Sequence, residues 1–227
     1  MIQWHACAPS IFDAHYGETK VTHKSTAILS ISMSISTADG LRNQNILEDE
    51  IHKAKDYLLS KIEKQKEVVT LILGGPTKYY NYDNESMIQI FSKINRQILE
   101  KNMQLIIIPS NRTPEKIIQF AKEYFNKNRL IVDSVDKQAY LSSLALAKYI
   151  IVTCDSSSMI SEAALTGKPV YVAMIPAMRN DIRFQKFRNL LESMNIIRKL
   201  EDDLDTWSYE KLDETNRIAK KIKSKLF

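Results

Sequence analysis

The stretch Asp155-Ser156-Ser157-Ser158-Met159-Ile160-Ser161-Glu162-Ala163-Ala164 runs from the end of an apolar segment into a helical pattern that Gly167 is placed to end. Serines at a helix start offer hydroxyls and unpaired backbone N–H groups at the positive end of the helix dipole. That is a seat for a phosphate. Glu162 falls about one turn beyond Ser158 on the same face, where a carboxylate can accept two hydroxyls of a ribose. The structural alternative is that the serines only cap the helix and Glu162 only complements its dipole. Three further polar segments follow apolar runs and favour the ligand reading: Gly74-Gly75-Pro76-Thr77-Lys78, Ser110-Asn111-Arg112-Thr113 and Asp133-Ser134-Val135-Asp136. Together the four offer backbone N–H groups, small hydroxyls and two cations, a combination suited to a phosphate or diphosphate.

Each residue also has a plain structural explanation. Gly74-Gly75 reads as a tight strand-to-loop turn needing positive φ. It lacks the Gly-Lys-Ser/Thr of a P-loop and the later glycines of a dinucleotide fingerprint. Lys78 and Arg112 are ordinary surface charges in this reading, although Arg112 stands just before a helix start. Tyr140 either stacks on a base or packs a helix.

The elements that must position these residues follow from periodicity. Apolar runs at Val68–Leu73, Leu105–Ile108, Leu130–Val132, Tyr149–Val152 and Val170–Ala173 read as strands. Helical spacing marks Ile46–Ile62, Ser86–Leu99, Pro114–Phe125, Lys137–Ala147, Ser157–Leu165, Ile182–Met194 and a last helix from about Tyr209. Thr113 suits an N-cap with Pro114 in the first turn. Ala27 to Ile35 alternates as one further strand. Strands that are continuously apolar rather than alternating belong to a parallel sheet covered on both faces. The fold class is therefore α/β, a doubly wound Rossmann-like parallel sheet, and its ligands are expected beyond the carboxyl ends of the strands.

The 227-residue chain has 32 Lys and Arg against 27 Asp and Glu, a net +5 that favours anionic partners without choosing among them. Two cysteines, Cys7 and Cys154, cannot form a disulfide framework or a four-ligand zinc site, and a reducing compartment is the simplest reading. The four histidines show no metal spacing. No Gly-x-Ser-x-Gly elbow supports a hydrolase triad, and no zinc-finger, RNP or Arg-rich segment supports nucleic-acid binding. No apolar run reaches the roughly 18 residues of a membrane span, and no secretory signal is visible. The last helix sets Arg217, Lys220, Lys221, Lys223 and Lys225 around Ile218, Ile222 and Leu226. That helix either packs against the fold or touches anionic lipid.

The stretches Leu71–Lys78, Ser110–Pro114 and Leu144–Met159 with Gly167-Lys168-Pro169 resemble the mitochondrial-fission "elongated mitochondria" family in order and spacing over about residues 66–200. That family in turn resembles GT-B glycosyltransferases, in which two Rossmann-like domains enclose a nucleotide-sugar cleft. The resemblance implies a C-terminal, donor-binding domain. Glu162 would bind ribose, and Ser156, Ser157 and Ser158 the diphosphate. Gly74 and Gly75 would lie close to it, and Arg112 would add positive charge. Asn111 departs from the family, which usually has a second basic residue there. GT-B enzymes commonly need no metal, so neither metal nor cofactor is expected.

Only about 65 residues precede the motif domain, against the more than ~100 that an N-terminal Rossmann domain requires. The expected division is a remnant or linker over 1–40, a nucleotide-sugar-binding domain over 41–200 and a basic helix over 201–227. The expected ligand is a nucleotide-diphosphate sugar, in a protein of the cytoplasm or of a membrane surface. No catalytic residue is assigned; Asp13 and His15 are the one N-terminal pair to test as a base. The alternative is a non-catalytic adaptor of the same fold that binds a protein or membrane partner. An apolar surface left where a second domain once packed would make it a homodimer.

Overall fold

The structure is a computed structural model that describes residues 44–126, 129–201 and 203–211, with side chains from Leu47 onward. The expected strand at Ala27–Ile35, the pair Asp13 and His15, the 1–40 segment and the basic face of the last helix lie outside the described residues.

Six strands form one parallel sheet: β1 Val68–Leu73, β2 Gln104–Pro109, β3 Arg129–Ile131, β4 Ala147–Thr153, β5 Val170–Ala173 and β6 Ile197–Lys199. Their spatial order is β3-β2-β1-β4-β5-β6, the doubly wound order of Rossmann-like domains. Every residue of β1, β2 and β5 is buried, which is why these strands read as unbroken apolar runs. The chain reverses direction across the sheet between β1 and β4, so the loops after those two strands flank the topological switch point.

Helix α1 spans Gln44–Ala54, and two 3-10 turns, Lys55–Tyr57 and Leu59–Lys61, follow it. The periodic stretch to Ile62 is thus not one α-helix. Ser142 explains the break: its hydroxyl donates to Lys55 O at 3.0 Å and accepts the Leu58 N–H at 3.1 Å. This diverts the backbone onto helix α4, Lys137–Leu146. Helix α2, Asn84–Glu100, begins where the Asp83 carboxylate accepts the Ser86 N–H. It buries Met87, Ile90, Phe91, Ile94 and Ile98 along one stripe. Phe91 meets Phe120 of α3, Glu115–Tyr124, with ring centroids 5.6 Å apart.

In α3 the expected cap is displaced. Pro114 occupies the N-cap position without a side-chain bond. The Thr113 hydroxyl instead turns to the end of β1, 2.9 Å from Leu73 O and 2.6 Å from Gly74 O, and accepts the Ser110 N–H at 2.8 Å. Helix α5, Ser157–Ala164, ends before Gly167, whose φ of 73° is the left-handed conformation expected of a glycine there. Helix α6, Ile182–Ser193, leads through Asn195 (φ 54°) to β6.

Residues 203–211 form an irregular strap rather than the start of a helix at Tyr209. The Leu204 N–H donates to Gln97 on α2, the Asp205 N–H to the Tyr171 hydroxyl on β5, and the Tyr209 hydroxyl to Ala164 O at the end of α5. No helix among the described residues is long and apolar enough to cross a membrane.

Candidate functional site

The carboxyl ends of β1, β2 and β4 bring Gly74-Gly75, Ser110–Thr113 and Thr153–Ser158 to one rim. They are joined there by a single buried carboxylate. The Asp155 side chain has no solvent exposure. It accepts the Gly75 N–H at 3.1 Å, the Arg112 guanidinium at 2.8 Å and the Tyr82 hydroxyl. Thr153 adds a second tie: its hydroxyl accepts the Gly74 N–H at 2.8 Å and donates to the Tyr82 oxygen at 2.7 Å. Burial first, and then the neighbouring Asp155 charge, push the Tyr82 phenol far above its ordinary pKa, so it remains a donor.

These contacts account for the glycine pair. Among the described glycines only Gly167 has positive φ, so the pair does not serve the turn expected of it. It serves close approach instead. A Cβ on Gly74 would lie 2.2 Å from Asp155 Oδ2, and one on Gly75 would lie 2.0 Å from the Arg112 carbonyl oxygen. Gly75 lets the backbones of the β1 and β2 loops meet, and Gly74 leaves room for the Asp155 side chain.

Arg112 is 42% exposed at its side chain. One guanidinium nitrogen holds Asp155, and the other lies 3.3 Å from Gly75 O. A guanidinium has five N–H donors, so this pairing leaves others facing outward. Ser156 is the N-cap of α5 and accepts the Met159 N–H. Ser157 and Ser158 follow in the first turn, half-buried. Glu162 lies one turn on, and its carboxylate accepts the Tyr140 hydroxyl of α4 at 2.7 Å. Tyr140 is therefore engaged with Glu162 rather than standing free as a stacking platform. Lys78 is exposed, 5.0 Å from the Tyr79 ring centroid, and Asn111 is exposed beside Arg112. The rim thus brings together Gly74, Gly75, Arg112 and Ser156, with Ser157, Ser158 and Glu162 carried on α5 behind them.

A second buried knot supports the first and was not visible in the sequence. The Tyr80 hydroxyl donates to Asp181, whose carboxylate also holds Arg188 at 3.0 Å. Arg188 reaches back to Tyr80 Oη at 3.0 Å and to Cys154 O at 3.4 Å. Burial raises the Asp181 pKa, but the hydrogen bonds from Tyr80, Arg188 and Gln185 outweigh it and hold the carboxyl below its ordinary range. The alternation Tyr80-Asn81-Tyr82 is the only local signal: two inward side chains on one short extended segment, one for each knot.

The model of the family described as "Mitochondrial fission ELM1" matches residues 36–226 of this chain. The chain belongs to that family. Its similar relatives include an uncharacterized protein of Rickettsia prowazekii, 32% identical over 165 residues, and the mitochondrial fission protein ELM1 of Arabidopsis thaliana, 29% identical over 166 residues. The matches cover 70% and 71% of this chain but 46% and 38% of those relatives, so the chain spans less than half of their length. Solved structures similar to it include the UDP-GlcNAc 2-epimerase of Neisseria meningitidis bound to UDP-GlcNAc. That likeness has 12% identity and a TM-score of 0.44, and covers 88% of this chain and 45% of that one. The Methanocaldococcus jannaschii UDP-GlcNAc 2-epimerase in complex with UDP-GlcNAc and UDP is similar at 17% identity and a TM-score of 0.46, covering 87% and 53%.

Proposed function

We propose that this rim binds a nucleotide-diphosphate sugar and that the domain is the donor-binding half of a GT-B-type sugar-transferring protein. The observation that carries the reading is the start of α5. Ser156, Ser157 and Ser158 open a helix at the switch point of a doubly wound sheet, opposite a glycine pair that lets two rim loops meet. The helix dipole and hydroxyls suit the diphosphate, Arg112 supplies a cation beside it, and Glu162 offers a carboxylate to the ribose. Tyr140 holds that carboxylate by one oxygen and restricts its rotation.

Sugar transfer would also need an acceptor site and a base from outside residues 41–200. Residues 1–40, a second copy of the chain in a homodimer or a separate polypeptide are the candidate sources. Removing a carboxylate that accepts ribose hydroxyls costs about 1–3 kcal/mol. Calorimetric titration with nucleotide sugars should therefore show Glu162→Ala binding roughly 5- to 150-fold more weakly than the parent chain. Equal affinity would contradict the assignment of Glu162.

The second reading is a non-catalytic adaptor in the cytoplasm or on a membrane surface. One observation favours it: the N–H groups of Gly74 and Gly75 and part of Arg112 are already satisfied within the chain. Under that reading no nucleotide sugar binds, and removal of the residues after Asn216 abolishes liposome binding.

A further inference from the structure

The rim already holds an anion of its own. Asp155 stands directly before the Ser156 cap of α5, and its carboxylate takes a glycine-loop N–H, a guanidinium and a tyrosine hydroxyl. These are donors that a phosphate would recruit. The consequence is electrostatic. Arg112 and Asp155 sum to no net charge, so the seat in front of them is left with the helix dipole, equivalent to about +0.5 charge, and with hydroxyls. Asparagine would keep the Gly75 bond at its one amide oxygen and present its NH2 group to the Tyr82 oxygen, so it removes the charge and reverses one hydrogen bond. A buried carboxylate is the costlier occupant, stabilised here by the Arg112 pairing.

We infer that Asp155 determines specificity: it sets the charge of the seat so that a diphosphate esterified at both ends is preferred over a free nucleoside diphosphate. The inference rests on the proposed nucleotide-sugar reading and names what that site rejects. A terminal phosphate has a second ionisation near pH 6, so at neutral pH a free diphosphate carries an extra negative charge that its sugar ester lacks. In the seat that charge falls near a carboxylate that cannot retreat. Asp155 is held from the β1 loop by Gly75, from the β2 loop by Arg112 and from the start of α2 by Tyr82. Two like charges within ~10 Å of each other at an effective permittivity of ~20 change an affinity by at least about tenfold.

The test is calorimetric titration at pH 7.5 and fixed ionic strength with uridine, adenosine and guanosine diphosphates and their hexose esters. The proteins are the parent chain, Asp155→Asn, Arg112→Gln and Glu162→Ala. The parent chain should prefer an ester. Asp155→Asn should move the ester-to-free ratio at least about tenfold toward the free diphosphate, and Arg112→Gln should move it the other way. A purely structural Asp155 would lower stability and leave the ratio unchanged. An unchanged ratio in both variants, with ester binding still dependent on Glu162, overturns this inference alone. Binding of neither ligand class by the parent chain overturns it together with the reading of the site. Should Asp155→Asn not fold, Arg112→Gln decides: its side chain is 42% exposed, and a ratio of two affinities measured on folded protein is not moved by a loss of stability alone.

Discussion

Gly74→Ala tests whether the rim is tied together by Asp155. The added methyl would sit 2.2 Å from one Asp155 oxygen, 2.3 Å from the other and 2.5 Å from their carbon. Ordinary contact needs more than 3.4 Å, so the carboxylate must retreat by over an ångström. It has no slack, because Gly75 N lies at 3.1 Å and Arg112 at 2.8 Å. A shift of that size breaks at least one hydrogen bond to a charged group, worth about 1.5–3 kcal/mol, and overpacking adds about 1–3 kcal/mol. The expected loss is about 2.5–6 kcal/mol. At about 2–4 °C per kcal/mol for a domain of this size, that lowers Tm by about 5–24 °C in a calorimetric scan. Alanine has no positive-φ penalty to meet at this position, so the effect isolates the clash. A Tm within about 2 °C of the parent would refute the close approach of Gly74 to Asp155.

Two more predictions concern the supporting structure. Arg188→Met leaves Asp181 buried without its cation, and urea unfolding should show a loss of about 3–5 kcal/mol; a loss under about 1 kcal/mol would place the Asp181 charge in contact with water. Lys168 donates to Leu144 O at 2.8 Å and to Ala145 O at 2.6 Å at the end of α4, and burial pushes its pKa down to about 8. The unfolded chain, at the ordinary value of 10.5, then binds more protons, so the Lys168 contribution to stability rises as pH increases through 8. Urea midpoints between pH 7.5 and 9 should climb more steeply in the parent than in Lys168→Met; parallel profiles would contradict this. Above pH 9 Cys154 acts with the opposite sign: burial raises its thiol from 9.0 to about 11, so the unfolded chain releases its proton first, and the falling Cys154 contribution offsets the Lys168 gain and flattens the profile.

The sequence shows the sheet well where burial is uniform. Strands β1, β2, β4 and β5 read as apolar runs because they are buried almost throughout, whereas β3, half-buried at the opposite edge, is read from Leu130 and Ile131 alone. Strand β6 is not legible, since Ile197-Arg198-Lys199 holds one apolar residue and lies at the sheet edge. The first helix reads too long because apolar spacing reports burial and not backbone geometry, and the Ser142 hydroxyl that turns the chain at Leu58 is 84 residues away. The site divides in the same way. Its loops are legible because polar residues cluster after each strand. Their wiring is not, because Asp155 finds Tyr82 across 73 residues and Arg112 across 43. Side-chain pairing at such separations leaves no periodic trace in a single sequence.

Binding of a nucleotide-diphosphate sugar at the rim, as proposed, stabilises the folded chain. The direct measurement is thermal unfolding of the parent chain and of Glu162→Ala against a panel of nucleotide sugars. A ligand at about 100 times its Kd adds about 2.7 kcal/mol, which shifts Tm by several degrees. Such a shift is expected for at least one nucleotide sugar in the parent chain, and a much smaller one in Glu162→Ala. The same Tm with every ligand, or an equal shift in both proteins, would contradict the proposed binding.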